Sequence, residues 1–178
     1  HSRRSCQSTL ATTAPIPPPG PPPCRTGLRQ PAVPDARMPS LVLLTCEDLS
    51  LETELDLEAV RGIIVLHDPA ASEADRTALA DAASRAARHW RGGAFEEAAP
   101  ADLADIAVGR GCTQIVTGFA ATGPVADVLD TVRPGLAGRG IALAEHQRRW
   151  DRLAWPFCAR GFFQLKSRIP ALLLDQGI

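Results

Sequence analysis

Short, uninterrupted apolar runs recur between residues 41 and 144, and most are separated by a stretch with helical periodicity. Leu41-Val42-Leu43-Leu44 and Gly62-Ile63-Ile64-Val65-Leu66 show no alternation of polar and apolar residues. That pattern marks strands covered on both faces. Ala94-Phe95-Glu96 is a third, shorter candidate. Gln114-Ile115-Val116-Thr117 is a fourth strand and Ile141-Ala142-Leu143-Ala144 a fifth. Between the second and third, Ser72 with Asp75 three residues on opens an Ala-rich helix that runs to Trp90, with Leu79, Ala83, Ala86 and Trp90 on one face; Gly92-Gly93 ends it. Pro100 starts a helix with Leu103, Ile106 and Ala107 inward. Gly123-Pro124 starts another with Val125, Val128, Leu129 and Val132, which Pro134 is expected to kink or restart. Strand–helix alternation of this kind predicts an α/β domain: a mostly parallel, five-stranded Rossmann-like sheet with helices on both faces.

Two different segments flank this domain, residues 40–147. Residues 1–39 hold ten of the 16 Pro, including the run PIPPPGPPP at 15–23. Proline removes a backbone donor and fixes φ, so a disordered Pro-rich linker is expected there, with a ligand for an SH3-like partner as the sharper reading. The chain begins at His1, and its only Met, Met38, directly precedes the first strand. A fragment or an internal start is therefore expected. Residues 148–178 form an aromatic-basic tail, expected to be helical and packed on the α/β domain. It holds Trp150, Trp155, Phe157, Phe162 and Phe163 beside Arg148, Arg149, Arg152, Arg160, Lys166 and Arg168. Rings beside cations suit a surface that docks on a flat or anionic partner, or a core end whose Arg stems snorkel.

Charge follows the same division. Five Arg against one Asp leave residues 1–40 at +4, eight Arg against 17 acids leave residues 41–146 at −9, and the remainder stands at +4. An acidic body excludes nonspecific nucleic-acid binding by the whole surface and leaves it open for the basic end. The five Cys are far apart and form no C-x-x-C pair, which supports neither a disulfide framework nor a zinc site. Cys46 and Cys112 are expected to be small buried residues. No apolar run is long enough to span a bilayer and no basic-then-apolar leader stands at the start, so a cytoplasmic protein without membrane contact is expected.

In an open α/β sheet, ligands sit beyond the carboxyl ends of the strands. The loop from Thr117 to Pro124 falls there and carries two Thr and two Gly before a helix. Thr117, Thr122 and Gly123 are candidate phosphate or nucleotide contacts, against the plainer reading of an ordinary strand-to-helix turn. His67 and Asp68 are a candidate acid/base pair, although neighbours at a strand end point to opposite sides and Asp-Pro opens turns. The acidic run from Glu47 to Glu58 reads as a solvated face rather than a metal site. No catalytic residue set and no metal ligands are assigned.

The segments SLVLLTCEDLSLE and TGFAATGPVADVLDTVRPGLAGRGIAL resemble the α/β antenna domain of the DNA photolyase/cryptochrome family, with Asp48-Leu49 and Gly140-Ile141 in the places of its opening turn and last strand. The tail is similar to a W-D-x-x-x-W-P-x-x-x-x-G-F-F-x-x-K-x-x-I-P pattern of bacterial photolyase-related flavoproteins. Trp150, Asp151, Trp155, Pro156, Gly161, Phe162, Phe163, Lys166, Ile169 and Pro170 match it. Cys46-Glu47 replaces the family's double Arg, and no residues correspond to its FAD-binding helical half. The resemblance implies a non-catalytic domain of a photolyase-like flavoprotein, concerned with DNA repair or blue light. It would bind no cofactor itself and would dock an FAD-binding helical domain through Trp150, Trp155, Arg160, Phe162, Phe163 and Lys166. FAD, any DNA contact and any deoxyribodipyrimidine photolyase-like lyase activity would belong to a full-length parent. The alternative from another class is a stand-alone nucleotide or small-molecule binding module using the Thr117–Pro124 loop.

Overall fold

The computed structural model describes residues 28–91, 94–159, 161–175 and 177. Five strands, β1 (Ser40–Leu44), β2 (Val60–Leu66), β3 (Glu96–Ala98), β4 (Gln114–Gly118) and β5 (Ala142–His146), form one sheet in the order β3-β2-β1-β4-β5. Every pairing is parallel. The expected Rossmann-like α/β sheet is therefore what this chain folds into.

Period-2 alternation divides the strand residues between two cores. Leu41, Leu43, Ile64, Leu66, Ile115 and Leu143 face one side, where α2 (Leu103–Gly109) and α3 (Pro124–Gly138) supply Leu103, Ala107, Leu129 and Leu136. Val42, Leu44, Ile63, Val65, Val116 and Ala144 face the other, covered by α1 (Glu73–His89) through Leu79, Ala82, Ala83 and Ala86. All five residues of β1 are buried. Ser40 at its start receives the amide of Gln114 at 2.7 Å, which satisfies the polar group at the buried end.

Local signals explain most boundaries. Ser72 and Asp75 close a reciprocal capping box at the start of α1. Pro100 opens a 3-10 turn, Pro100–Asp102, that leads into α2. Three expectations shift. The third strand lies at Glu96–Ala98 rather than residues 94–96, because only there does the chain run beside Ile64, Val65 and Leu66. The fifth begins at Ala142: Ile141 N–H is taken by Leu136 O at the end of α3, and pairing extends to His146 beside Gly118. Pro134 neither breaks nor restarts α3, which continues to Gly138. The proline leaves the Asp130 carbonyl without its helical donor, a cost set against the burial of Leu129 and Leu136 on either side of it.

Of the Pro-rich segment 1–39, residues 1–27 lie outside the described residues. Residues 28–39 are not a free linker. Proline cannot donate, but its neighbours' carbonyls accept: Ala32 O takes the N–H of Glu145 at 2.8 Å, Asp35 O the Gln114 amide at 2.5 Å, and Ala36 O the N–H of Glu58 at 2.8 Å. This strap meets the open edge of β5 at Glu145 and then crosses to Gln114 of β4 and Glu58 ahead of β2. The opposite edge, β3, shows solvent two glutamates, Glu96 and Glu97, which discourages pairing with another chain.

After β5, the tail is a series of short helices: α4 (Arg149–Ala154), a 3-10 turn (Trp155–Phe157), α5 (Phe162–Lys166) and α6 (Ile169–Asp175). Among the described residues no helix is long and apolar enough to cross a membrane.

Two substitutions separate core from cap. Leu43→Ala should cost about 2–5 kcal/mol, because Leu43 is wholly buried in the centre of the sheet. Ser72→Ala should cost about 1 kcal/mol by removing one cap. Denaturant melts of both variants check this ranking.

Candidate functional site

The strand order reverses between β1 and β4, so the crevice beyond their carboxyl ends is where a fold of this type would receive a ligand. In this chain part of that place is filled from within. The turn after β1 folds back through a Thr45–Asp48 bridge, and Asp48 lies so close over the end of β4 that a Cβ on Gly118 would overlap the Asp48 side chain. Arg148, the first basic residue of the tail, then clamps Asp48. Its Nε and Nη2 donate to the two carboxylate oxygens at 3.0 and 2.8 Å. It also donates to Ser50 Oγ at 2.9 Å and to Glu54 Oε1 at 3.0 Å. A forked, charge-assisted contact of this kind fixes geometry as well as charge. Asp48, placed by the resemblance at the opening turn, thus receives its guanidinium from Arg148, 100 residues later, while Cys46 and Glu47 stand in the turn itself.

A second polar cluster lies at the end of β5. The Glu145 side chain has no solvent exposure and is held by Arg29 and Arg133. Arg29 Nη2 donates to Oε1 at 2.9 Å and to Ala120 O at 2.6 Å, and its guanidinium lies 4.7 Å from the Phe119 ring centre. Burial pushes the Glu145 carboxyl up, but the bonds and charge of the two guanidiniums outweigh it and hold the group below the usual carboxylate range. Next to it, burial keeps His146 below its ordinary value in spite of Glu54, whose carboxylate is 3.8 Å away. Glu145 carries no local sequence signal, since its partners lie 12 and 116 positions away.

The residues singled out by sequence are not all brought together. Thr117 is wholly buried in β4, in register with Glu145, and its hydroxyl has no partner. Thr122 and Gly123 are exposed in the loop beyond. Gly123 precedes α3 with φ 103° and ψ −176°, and no side chain caps the helix. His67 does not pair with Asp68. Its Nδ1 lies 2.6 Å from Glu97 Oε1, whereas Asp68 Oδ1 accepts the Ala70 N–H at 2.8 Å. That His–Glu contact requires β3 to lie beside β2, which no local pattern announces. A crevice of about 340 Å³ opens between these strand ends and α3, lined by Leu66, His67, Pro100, Pro124, Val125 and Val128 among others.

The cysteines divide. Cys112 is buried as expected, but Cys46 is exposed, because it sits in the turn after β1 rather than in the strand. Partial burial and the Glu47 carboxylate raise its thiol, the wrong direction for a nucleophile. Among the described residues no group of three or more His, Cys, Asp or Glu is arranged to hold a metal.

The tail has an anchored side and an open side. Trp155 is half-buried: its indole N–H donates to Arg29 O at 3.0 Å and its ring meets Phe119 edge-on at 5.2 Å. Arg149 donates to Asp175 O at 2.8 Å, tying α4 to α6, and Arg168 lies over the Phe157 ring at 5.1 Å. By contrast Trp150 is 38% exposed, Phe162 62% and Phe163 83%. Lys166 is exposed beside them, and Arg160 lies outside the described residues.

Comparison with known proteins finds no matching family model, no matching curated protein and no matching solved structure.

Two consequences of this geometry can be measured. Gly118→Ala should cost about 1–3 kcal/mol by forcing Asp48 off the end of β4. Acid should destabilise the fold in two steps. His146, lowered when folded, lets the unfolded chain take up its proton first, so stability falls as the pH drops below about 6.5. Glu145, also lowered, contributes stability that is complete above about 4.5 and is lost as the pH falls through its depressed value. Denaturant melts across this range should show both steps, and His146→Gln should remove only the upper one.

Proposed function

We propose that this chain is the non-catalytic α/β domain of a photolyase-like flavoprotein, and that its tail docks a helical domain that holds FAD. The observation that carries this reading is the two-sided tail. Arg148 and Trp155 turn inward and fix it to the sheet, while Phe162 and Phe163, adjacent in the W-D…W-P…G-F-F pattern, are left open to solvent. Large adjacent rings beside cations on an ordered support suit a protein interface. The covered end of β4 supports the non-catalytic part, because Asp48 and Arg148 occupy part of the space at the switch point. DNA repair or light sensing is then the work of the parent protein, and DNA is met only through it.

A nucleotide-binding module at residues 117–124 is the second reading. It is favoured by the uncapped start of α3 beside the 340 Å³ crevice. Buried Thr117 cannot serve it, which leaves Thr122 and backbone N–H groups. Thermal shifts with nucleotides, compared between the parent chain and Thr122→Asp, test it. Gly123→Asp is a poor probe, because φ 103° strains any side chain there whether or not phosphate binds.

The main reading predicts that the purified chain is colourless. The coding DNA upstream of His1 should encode a helical flavin-binding domain that co-purifies with it. Phe162→Ser with Phe163→Ser should weaken that association by about tenfold or more, the size of an interface hot spot. Stoichiometric flavin in the isolated chain, or an upstream frame with no such domain, would sink the reading.

A further inference from the structure

We propose that residues 28–34 are a latch that couples the seating of the strap, and so the path of the chain upstream, to the order of the aromatic tail. Three contacts close a ring. The Arg29 guanidinium lies on Phe119, Phe119 meets Trp155 edge-on, and the Trp155 indole N–H returns to the Arg29 carbonyl. Strap, β4–α3 loop and tail each contribute one member. Any one of them released leaves the other two short of a partner.

Near the ring, each end has few other anchors. Within residues 28–34 two positions are proline, and the backbone tie to the sheet runs from Glu145 N–H to Ala32 O. The Arg29 side chain therefore carries much of the attachment, through Glu145 and Ala120. The tail helices have six, five and seven residues. Helices that short do not persist in water on their own and rely on tertiary anchors. Arg148 secures the start of α4, and Trp155 secures its end. The coupling is independent of which partner the open face receives. Because it is thermodynamic, it is reciprocal: whatever frees Arg29 loosens the Trp155 end of α4, and whatever frees Trp155 loosens the strap. Strap release would also bare the edge of β5.

Residue-resolved amide exchange on the full chain tests this in both directions. The Glu145 and Asp35 amides report on the strap, since they donate to Ala32 O and Gln114 Oε1. The Arg152 and Cys158 amides report on the tail, since they donate to Arg148 O and Trp155 O. Trp155→Phe keeps the ring and removes only the N–H. It should speed exchange at Glu145 and Asp35 about tenfold, the scale of one lost hydrogen bond. Arg29→Gln should do the same at Arg152 and Cys158, with Val42 and Leu43 in β1 unchanged in both. Arg149→Ala, which cuts the tie to Asp175, should leave Asp35 unchanged. Unaltered strap amides in Trp155→Phe, or unaltered tail amides in Arg29→Gln, overturn the coupling. If Arg29→Gln does not fold, Trp155→Phe decides alone.

Discussion

A carboxylate with no access to water stands at the end of β5, and much of the surrounding structure answers its charge. Burying an ion is costly unless partners replace the lost hydration. Glu145 obtains them from two directions: Arg133 on α3, twelve residues back, and Arg29 on the strap, 116 residues back. The second partner is the structurally productive one. It draws a proline-rich segment against the sheet edge, brings a guanidinium onto Phe119, and sets the carbonyl that Trp155 needs. One buried charge thus recruits three otherwise separate parts of the chain. A hydrophobic residue at that position would be easier to bury and would recruit none of them.

The same economy governs the switch point. Parallel sheets with this strand order leave a crevice where neighbouring connections depart to opposite faces. Here the acidic turn after β1 covers the end of β4, and the first cation of the tail holds it there. Part of the customary ligand position thus serves to hold the C-terminal segment. Two ion-paired clusters, Asp48–Arg148 and Glu145–Arg29, flank α4: Arg148 holds its start, and Arg29 holds Trp155 at its end.

The sheet was legible in the sequence because burial on both faces leaves apolar runs, and the capping box at Ser72–Asp75 is a local code. What could not be read had one common cause, dependence on distant partners. Proline content reports missing donors and says nothing of acceptors, so the attachment of residues 28–39 through Ala32, Asp35 and Ala36 carbonyls left no trace in composition. Glu145 looks like any acid at a strand end until Arg29 is placed against it. His67 reads as the neighbour of Asp68, whereas register gives it Glu97. Thr117 counted as a loop residue by position, yet strand alternation turns its hydroxyl inward. Cys46 reads as buried from residue type, but two residues past β1 the chain has already turned outward. The tail's composition showed that rings and cations were concentrated there; only the fold separates Trp155, which anchors, from Phe162 and Phe163, which do not.

That separation constrains how the tail can work. An apolar surface on a freely moving segment would lose ordering entropy each time it met a partner, and much of its binding energy would be spent on that loss. Arg148 and Trp155 remove part of this cost in advance, because they fix α4 and the turn that follows it, ahead of Phe162 and Phe163. The rings themselves gain nothing from the domain they are attached to; at 62% and 83% exposure they are a standing liability for a protein on its own. The proposed docking would cover that surface. The acidic body points the same way: with −9 over residues 41–146, it disfavours close approach of another anionic surface except at the cationic tail. In the proposed docking, charge orients the partner before contact and the rings complete it.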